Sequence, residues 1–108
     1  MTKSNPIILL YSPFPSLETA RAVSHVLLHE KLAACCNIVA GVESHYWWEG
    51  KLTQSAEVVL WCKTTHAQSA AAAVRLEVLH PYDCPAILTI DAAANPAFAQ
   101  WVEESVVQ

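Results

Sequence analysis

Apolar runs separated by Pro, Gly and capping residues divide this chain into seven predicted elements. Ile7-Ile8-Leu9-Leu10-Tyr11 is apolar at every position, the pattern of a strand buried on both faces and central in its sheet. Pro13 and Pro15 break it. Ser16 caps a helix predicted from Leu17 to about Ala33, with Glu18 in the first turn, where the helix dipole favours negative charge. Ala20, Val23 and Leu27 recur at helical spacing as its inner stripe, widened by Val26, Leu28 and Leu32.

A strand follows from about Cys35 to Trp48, and another from about Lys51 to Lys63. Between them, Tyr46-Trp47-Trp48-Glu49-Gly50-Lys51 has the composition of a long hairpin's tip: aromatics suit a pleated surface, and Gly permits the tight reversal. Two Trp at a free tip are more apolar area than water favours, which predicts a cover, either a partner subunit or a ligand. In the second strand Ala56, Val58, Leu60, Cys62 and Thr64 share the face suited to covering helices. Glu57, Val59, Trp61 and Lys63 share the other, a poor solvent face and a plausible subunit interface.

Thr65 can cap the next helix, in which Ala67, Ala70, Ala71, Val74 and Val78 form an i, i+3, i+4 stripe before Pro81 ends it. Pro85 opens a strand predicted over Ala86-Ile87-Leu88-Thr89-Ile90, and a leading Pro suits an edge position. Asn95-Pro96 starts a last helix, docked by Phe98, Trp101 and Val102. The order βαββαβ plus a terminal helix gives an α+β, ferredoxin-like domain over residues 1–108. Its helices lie on one sheet face, and the other is expected to be bare in a monomer.

With 108 residues the chain is one domain, and 54% hydrophobic against 15% charged residues is apolar-rich. No apolar run is long enough to span a bilayer, and the first is too short for a signal-peptide core, so a cytoplasmic, unprocessed chain is expected. Apolar excess without a membrane segment predicts oligomerisation. A net charge of −4 with no Lys/Arg cluster argues against nucleic acid as a partner. Cys35, Cys36, Cys62 and Cys84 lack Cys-x-x-Cys spacing, which argues against a structural zinc knuckle and a disulfide framework. No nucleophile elbow, P-loop or dinucleotide fingerprint is present, so an enzyme is not expected.

Several segments together resemble one family. They are Lys31-Leu32-Ala33-Ala34-Cys35, Asn37-Ile38, Gly41, Ser44, Tyr46 to Lys51, Glu57-Val58, Lys63-Thr64, His80-Pro81-Tyr82-x-x-Pro85 and Trp101. In that order, across almost the whole chain, they are similar to the CutA divalent-cation tolerance proteins. The resemblance implies a homotrimer with PII-like architecture, a response to metal ions, and binding of copper or another divalent metal. It also implies an alternative: a PII-like sensor that binds a small anion or metabolite in intersubunit clefts and signals to a partner protein. The chain departs from the family pattern at Ala40, where Pro commonly precedes Gly41, and at the additional thiols Cys36 and Cys62.

The resemblance directs attention to two metal candidates, Cys35 and His80. A Cys35 thiolate is a soft ligand suited to Cu(I), and otherwise a small buried hydrophobe at a strand's start. Cys36 faces away from it, so a second ligand must come from a distant segment or another subunit, with His80 the first candidate. His80 is equally read as a helix-end group bonding a carbonyl, or as a proton carrier in a cleft with Tyr82 and Lys63. Tyr46, Trp48, Glu57, Lys63 and Tyr82 are the expected cleft residues, and Val59 and Trp61 the expected trimer interface. Glu57 and Lys63 are read first as an intersubunit ion pair or hydrogen-bond anchor, ahead of a catalytic acid with a Lys, for which the sequence shows no defined pocket. His25 and His29, spaced i, i+4 on a solvated helix face with Glu18, can chelate Cu(II) or Ni(II) in vitro.

Overall fold

A computed structural model describes residues 5–107. In chain order the elements are β1 (Pro6–Phe14), α1 (Leu17–His29), β2 (Cys35–Trp48), β3 (Lys51–Thr64), α2 (His66–Leu79), β4 (Leu88–Ala93) and α3 (Pro96–Ser105). The strands form one sheet in the order β2-β3-β1-β4, with every neighbouring pair antiparallel. This is the ferredoxin-like α+β arrangement, with β1, apolar but for the buried Ser12 and the Tyr11 hydroxyl, central and β4 at an edge.

Local chemistry accounts for the ends of α1. The Ser16 hydroxyl accepts from the Thr19 N–H at 3.1 Å and so satisfies one orphan donor. The helix stops at His29 rather than at the predicted Ala33 because Lys31 takes a left-handed conformation, φ 58°. Leu32 N–H then reaches back to the Leu27 carbonyl at 2.9 Å, and Lys31 N–H to that of Leu28 at 3.0 Å, a Schellman closure.

The core lies between the sheet and α1 and α2. Ile8, Leu10 and Phe14 of β1 meet Val58, Leu60 and Cys62 of β3 there, beneath Ala20, Val23 and Leu27 of α1. The stripe expected for α2 is corrected by the structure. Ala72 and Leu76 are the buried positions, while Val74 and Val78 stand 63% and 70% exposed and Ala67, Ala70 and Ala71 are also exposed. With alanine on every side the apolar periodicity has no unique phase, and the one Leu in the middle of the helix sets the inner face.

The second face of the sheet carries Leu9, Tyr11, Val59, Trp61 and Lys63 and is not bare as expected. α3 covers one end: its Phe98 ring lies under the Lys63 ammonium, 5.4 Å away, and Val102 and Val106 are buried. Trp101 remains exposed rather than docked. Further along, Tyr11 and Trp61 make an edge-to-face pair with centroids 5.0 Å apart. Val39, Leu88 and Ile90 leave this face open to solvent.

β4 begins at Leu88, opposite Tyr11 of β1, two residues later than predicted. Ile87 instead packs against the core. The β2–β3 hairpin outruns the rest of the sheet: β1 ends opposite Val58, and the pairing continues alone to Trp48 and Lys51. Its turn places both Glu49 (φ 50°) and Gly50 (φ 76°) in the left-handed region, the two-residue geometry that matches strand twist.

Candidate functional site

A bulge in β2 sets up the first cluster. Val39 pairs with Val59 and Val42 with Glu57, so Ala40 and Gly41 together oppose Val58. Gly41 adopts φ 78°, which a side chain resists. The extra residue flips the alternation of β2. Before it, Cys36 and Ile38 face the helices. Beyond it, Ser44, Tyr46 and Trp48 turn to the opposite face, which also carries Ser55 and Glu57.

Glu57 and Tyr82 meet there, the Tyr82 hydroxyl donating to the Glu57 carboxylate at 2.7 Å. Tyr46 and Ser55 hydroxyls are 3.1 Å apart on the same face. Burial first, and then the Glu57 carboxylate, hold the Tyr82 phenol well above its ordinary pKa. The hydroxyl is thereby kept as a proton donor to the carboxylate.

His80 positions the loop that carries Tyr82. The following Pro81 excludes helical geometry at His80, whose ψ of 136° turns the ring inward. It stacks on Phe14 with centroids 4.1 Å apart. Nε2 lies 2.9 Å from the Pro13 carbonyl, and Nδ1 accepts the Tyr82 N–H at 3.1 Å. The Pro13 bond requires the proton on Nε2, leaving no lone pair free. Burial pushes the imidazole pKa down, against smaller opposing effects of the Pro13 carbonyl and the Glu57 carboxylate. His80 is therefore a neutral clasp that ties the Tyr82 loop to the end of β1, and its expected role as a metal ligand is corrected within one chain.

The structure also separates residues expected together. Cys35 pairs with Lys63 across β2–β3, and its thiol lies 3.8 Å from the Asn37 side-chain oxygen on the second face. His80 packs on the helix side at the level of Phe14 and Val58. Five residues of β3, about 16 Å, separate those levels. Lys63 is six residues from Glu57, roughly 20 Å along the strand, and sits against α3 instead of in a cleft with Tyr82. Trp48 shares the Tyr46 face but stands exposed at the hairpin end. Val59 is only 4% exposed, so the neighbouring Val39, at 46%, contributes the open apolar area there in its place. Trp61 is half-buried against Tyr11.

His25 and His29 are exposed on α1 as expected. Among the described residues, no three His, Cys, Asp or Glu side chains gather to hold a metal. Ser55 and the Pro13 carbonyl were not legible as partners, since their roles depend on register across the sheet. The same holds for Cys36 and Cys62, which face each other across β2–β3 with sulfurs 3.7 Å apart. The contact with Cys62 lowers the Cys36 thiol pKa, and the same contact with burial raises that of Cys62.

Comparison with known proteins agrees with this arrangement. The family model described as CutA1 divalent ion tolerance protein matches residues 8–105. The chain belongs to the CutA1 family. It is 38% identical over 92 residues to the divalent-cation tolerance protein CutA of Thermus thermophilus, covering 84% of this chain and 89% of that protein. It is 36% identical over 101 residues to the chloroplastic protein CutA 1 of Oryza sativa, covering 93% of this chain but only 57% of that longer relative. The crystal structure of the divalent ion tolerance protein CutA1 from Ehrlichia chaffeensis superimposes with a TM-score of 0.91 at 40% identity, covering 94% and 96% of the two chains. The CutA1 fold expected from the sequence is therefore present. No helix among the described residues is long and apolar enough to cross a membrane.

Proposed function

We propose that this CutA1 chain acts in divalent-cation tolerance as a cytoplasmic homotrimer that binds copper or another divalent metal. The observation that carries the reading is the half-buried Cys35 thiol on the sheet face that Val39, Leu88 and Ile90 leave open. One chain offers a single soft donor there, with the Asn37 oxygen beside it. A thiolate fits a soft ion such as Cu(I), and a second donor then comes from a neighbouring subunit across that face.

The cleft residues Tyr46, Glu57 and Tyr82 act in this reading as a rigid wall that a second subunit completes, with Trp48 at its rim. Their hydrogen-bonding groups are engaged with one another or with Ser55, which favours a binding protein over an enzyme. The Glu57 carboxylate also makes the wall a poor receptor for a small anion, which disfavours the PII-like alternative.

Competition titration with a Cu(I) chelator tests the metal reading. Cys35→Ser is expected to lose the tightest Cu(I) site, and in a separate Cu(II) titration His25→Ala with His29→Ala is expected to lose only a weak site. Unchanged Cu(I) affinity in Cys35→Ser would overturn the assignment. Thermal shifts produced by metabolites and not by metals would favour the sensor.

A further inference from the structure

We propose that Cys36 and Cys62 form a reversible intrachain disulfide on exposure to a hydroperoxide, a modification site independent of Cys35. The two residues are directly opposed in the antiparallel register of β2 and β3. Opposed Cα atoms lie about 4.5–5.5 Å apart in such a pair, inside the range of about 4.4–6.8 Å that a disulfide spans. Their sulfurs are in contact at 3.7 Å, so closure needs side-chain rotation and no backbone rearrangement.

The surroundings give the two thiols different tasks. Cys36 is half-buried on an edge strand, within reach of a small oxidant, with the Ser24 hydroxyl of α1 against its sulfur. Cys62 is fully buried and meets only what Cys36 delivers. The Cys36 thiolate attacks one peroxide oxygen: an S–O bond forms, the O–O bond breaks, and sulfur loses two electrons to the oxidant. The Cys62 sulfur then attacks the sulfenic sulfur. The S–S bond forms as the S–O bond breaks, and hydroxide leaves with the Cys62 proton as water. Two thiols and one hydrogen peroxide give one disulfide and two waters, and the product puts no charge in the core.

The other thiols do not compete for this pairing. Cys35 points to the opposite sheet face beside Asn37, and Cys84 is exposed in the loop after α2. The disulfide would staple the hairpin near its base, where β2 and β3 run against the helices.

The test uses the Cys35→Ser/Cys84→Ser double variant, which keeps only the opposed pair, together with the unaltered protein. Folded protein is treated with hydrogen peroxide, quenched with catalase, denatured in an alkylating agent and weighed intact. Expected is loss of both alkylatable thiols, with a mass lower by two hydrogens, no covalent dimer, and full recovery with dithiothreitol. In the unaltered protein, peptide mapping should join residue 36 to residue 62, which decides the matter even if the double variant fails to fold. In Cys62→Ala, a dimedone adduct is expected on Cys36. Retention of both thiols, oxygen added without a cross-link, or a link through Cys35 or Cys84 would each overturn the proposal.

Discussion

His80 shows how one side chain does several jobs because of its neighbour in sequence. Pro81 turns it inward, and its two nitrogens then hold the end of β1 and the start of the Tyr82 loop. Its folded pKa lies below the unfolded one, so protonation favours unfolding. The stability it contributes is complete above about pH 6.5 and declines as pH falls through the folded pKa. His80→Phe should retain the stacking on Phe14, cost roughly 1–3 kcal/mol by leaving the Pro13 carbonyl unpaired, and reduce the dependence of urea stability on pH below that point. An unchanged pH slope would show that other groups carry it. Ser12 makes the converse case: its hydroxyl is buried with no hydrogen-bond partner among the described residues. Ser12→Ala should be neutral or raise stability by about 1 kcal/mol in urea denaturation, and a loss of that size would reveal a partner.

At the scale of elements, the sequence was most legible where a residue has only one physical option. The hairpin tip, the Ser16 and Thr65 caps and the Asn95-Pro96 helix start all fall where their chemistry placed them. It was least legible where composition is degenerate: the alanines of α2 allowed two faces, and only packing chose Ala72 and Leu76. The β2 bulge lies between these cases. Gly41 was visible, but not that its extra residue would turn Tyr46 toward the Glu57 face. The candidate site divided in the same way. Within one chain Glu57 meets Tyr82, whereas Lys63 and His80 lie elsewhere, because strand level and face, not residue type, decide which side chains meet. Replacing Gly41 with Ala meets no atom within 4 Å, yet forces a left-handed Ala. The expected cost is about 1–2 kcal/mol, read as a lower urea midpoint. No change would mean that the bulge relaxes into another geometry.

For the whole molecule, the decisive question is what covers the second sheet face. α3 covers the Lys63 end, while Ile90 at that level on the edge strand β4, and Val39 and Leu88 further along, remain open around the half-buried Tyr11–Trp61 pair. The exposed Trp47, Trp48 and Leu52 add apolar area at the hairpin end, which projects past its own sheet. Two separated apolar regions on one chain suit a closed ring, in which each hairpin reaches a neighbour while the sheet faces meet. A stable contact of this kind buries at least about 1,000 Å² in total, and assembly then contributes directly to folding stability. Trp61→Asp should place an uncompensated charge in the contact and yield monomer or unfolded chain by light scattering at micromolar concentration. Because that change also disturbs the Tyr11 packing, Leu88→Lys is the cleaner probe: Leu88 is exposed at the edge of the sheet, so the subunit itself should still fold. A folded Leu88→Lys monomer with a concentration-independent, lowered Tm is the expected result. A trimer of unaltered stability in both variants would mean that this face is not the one through which the subunits associate.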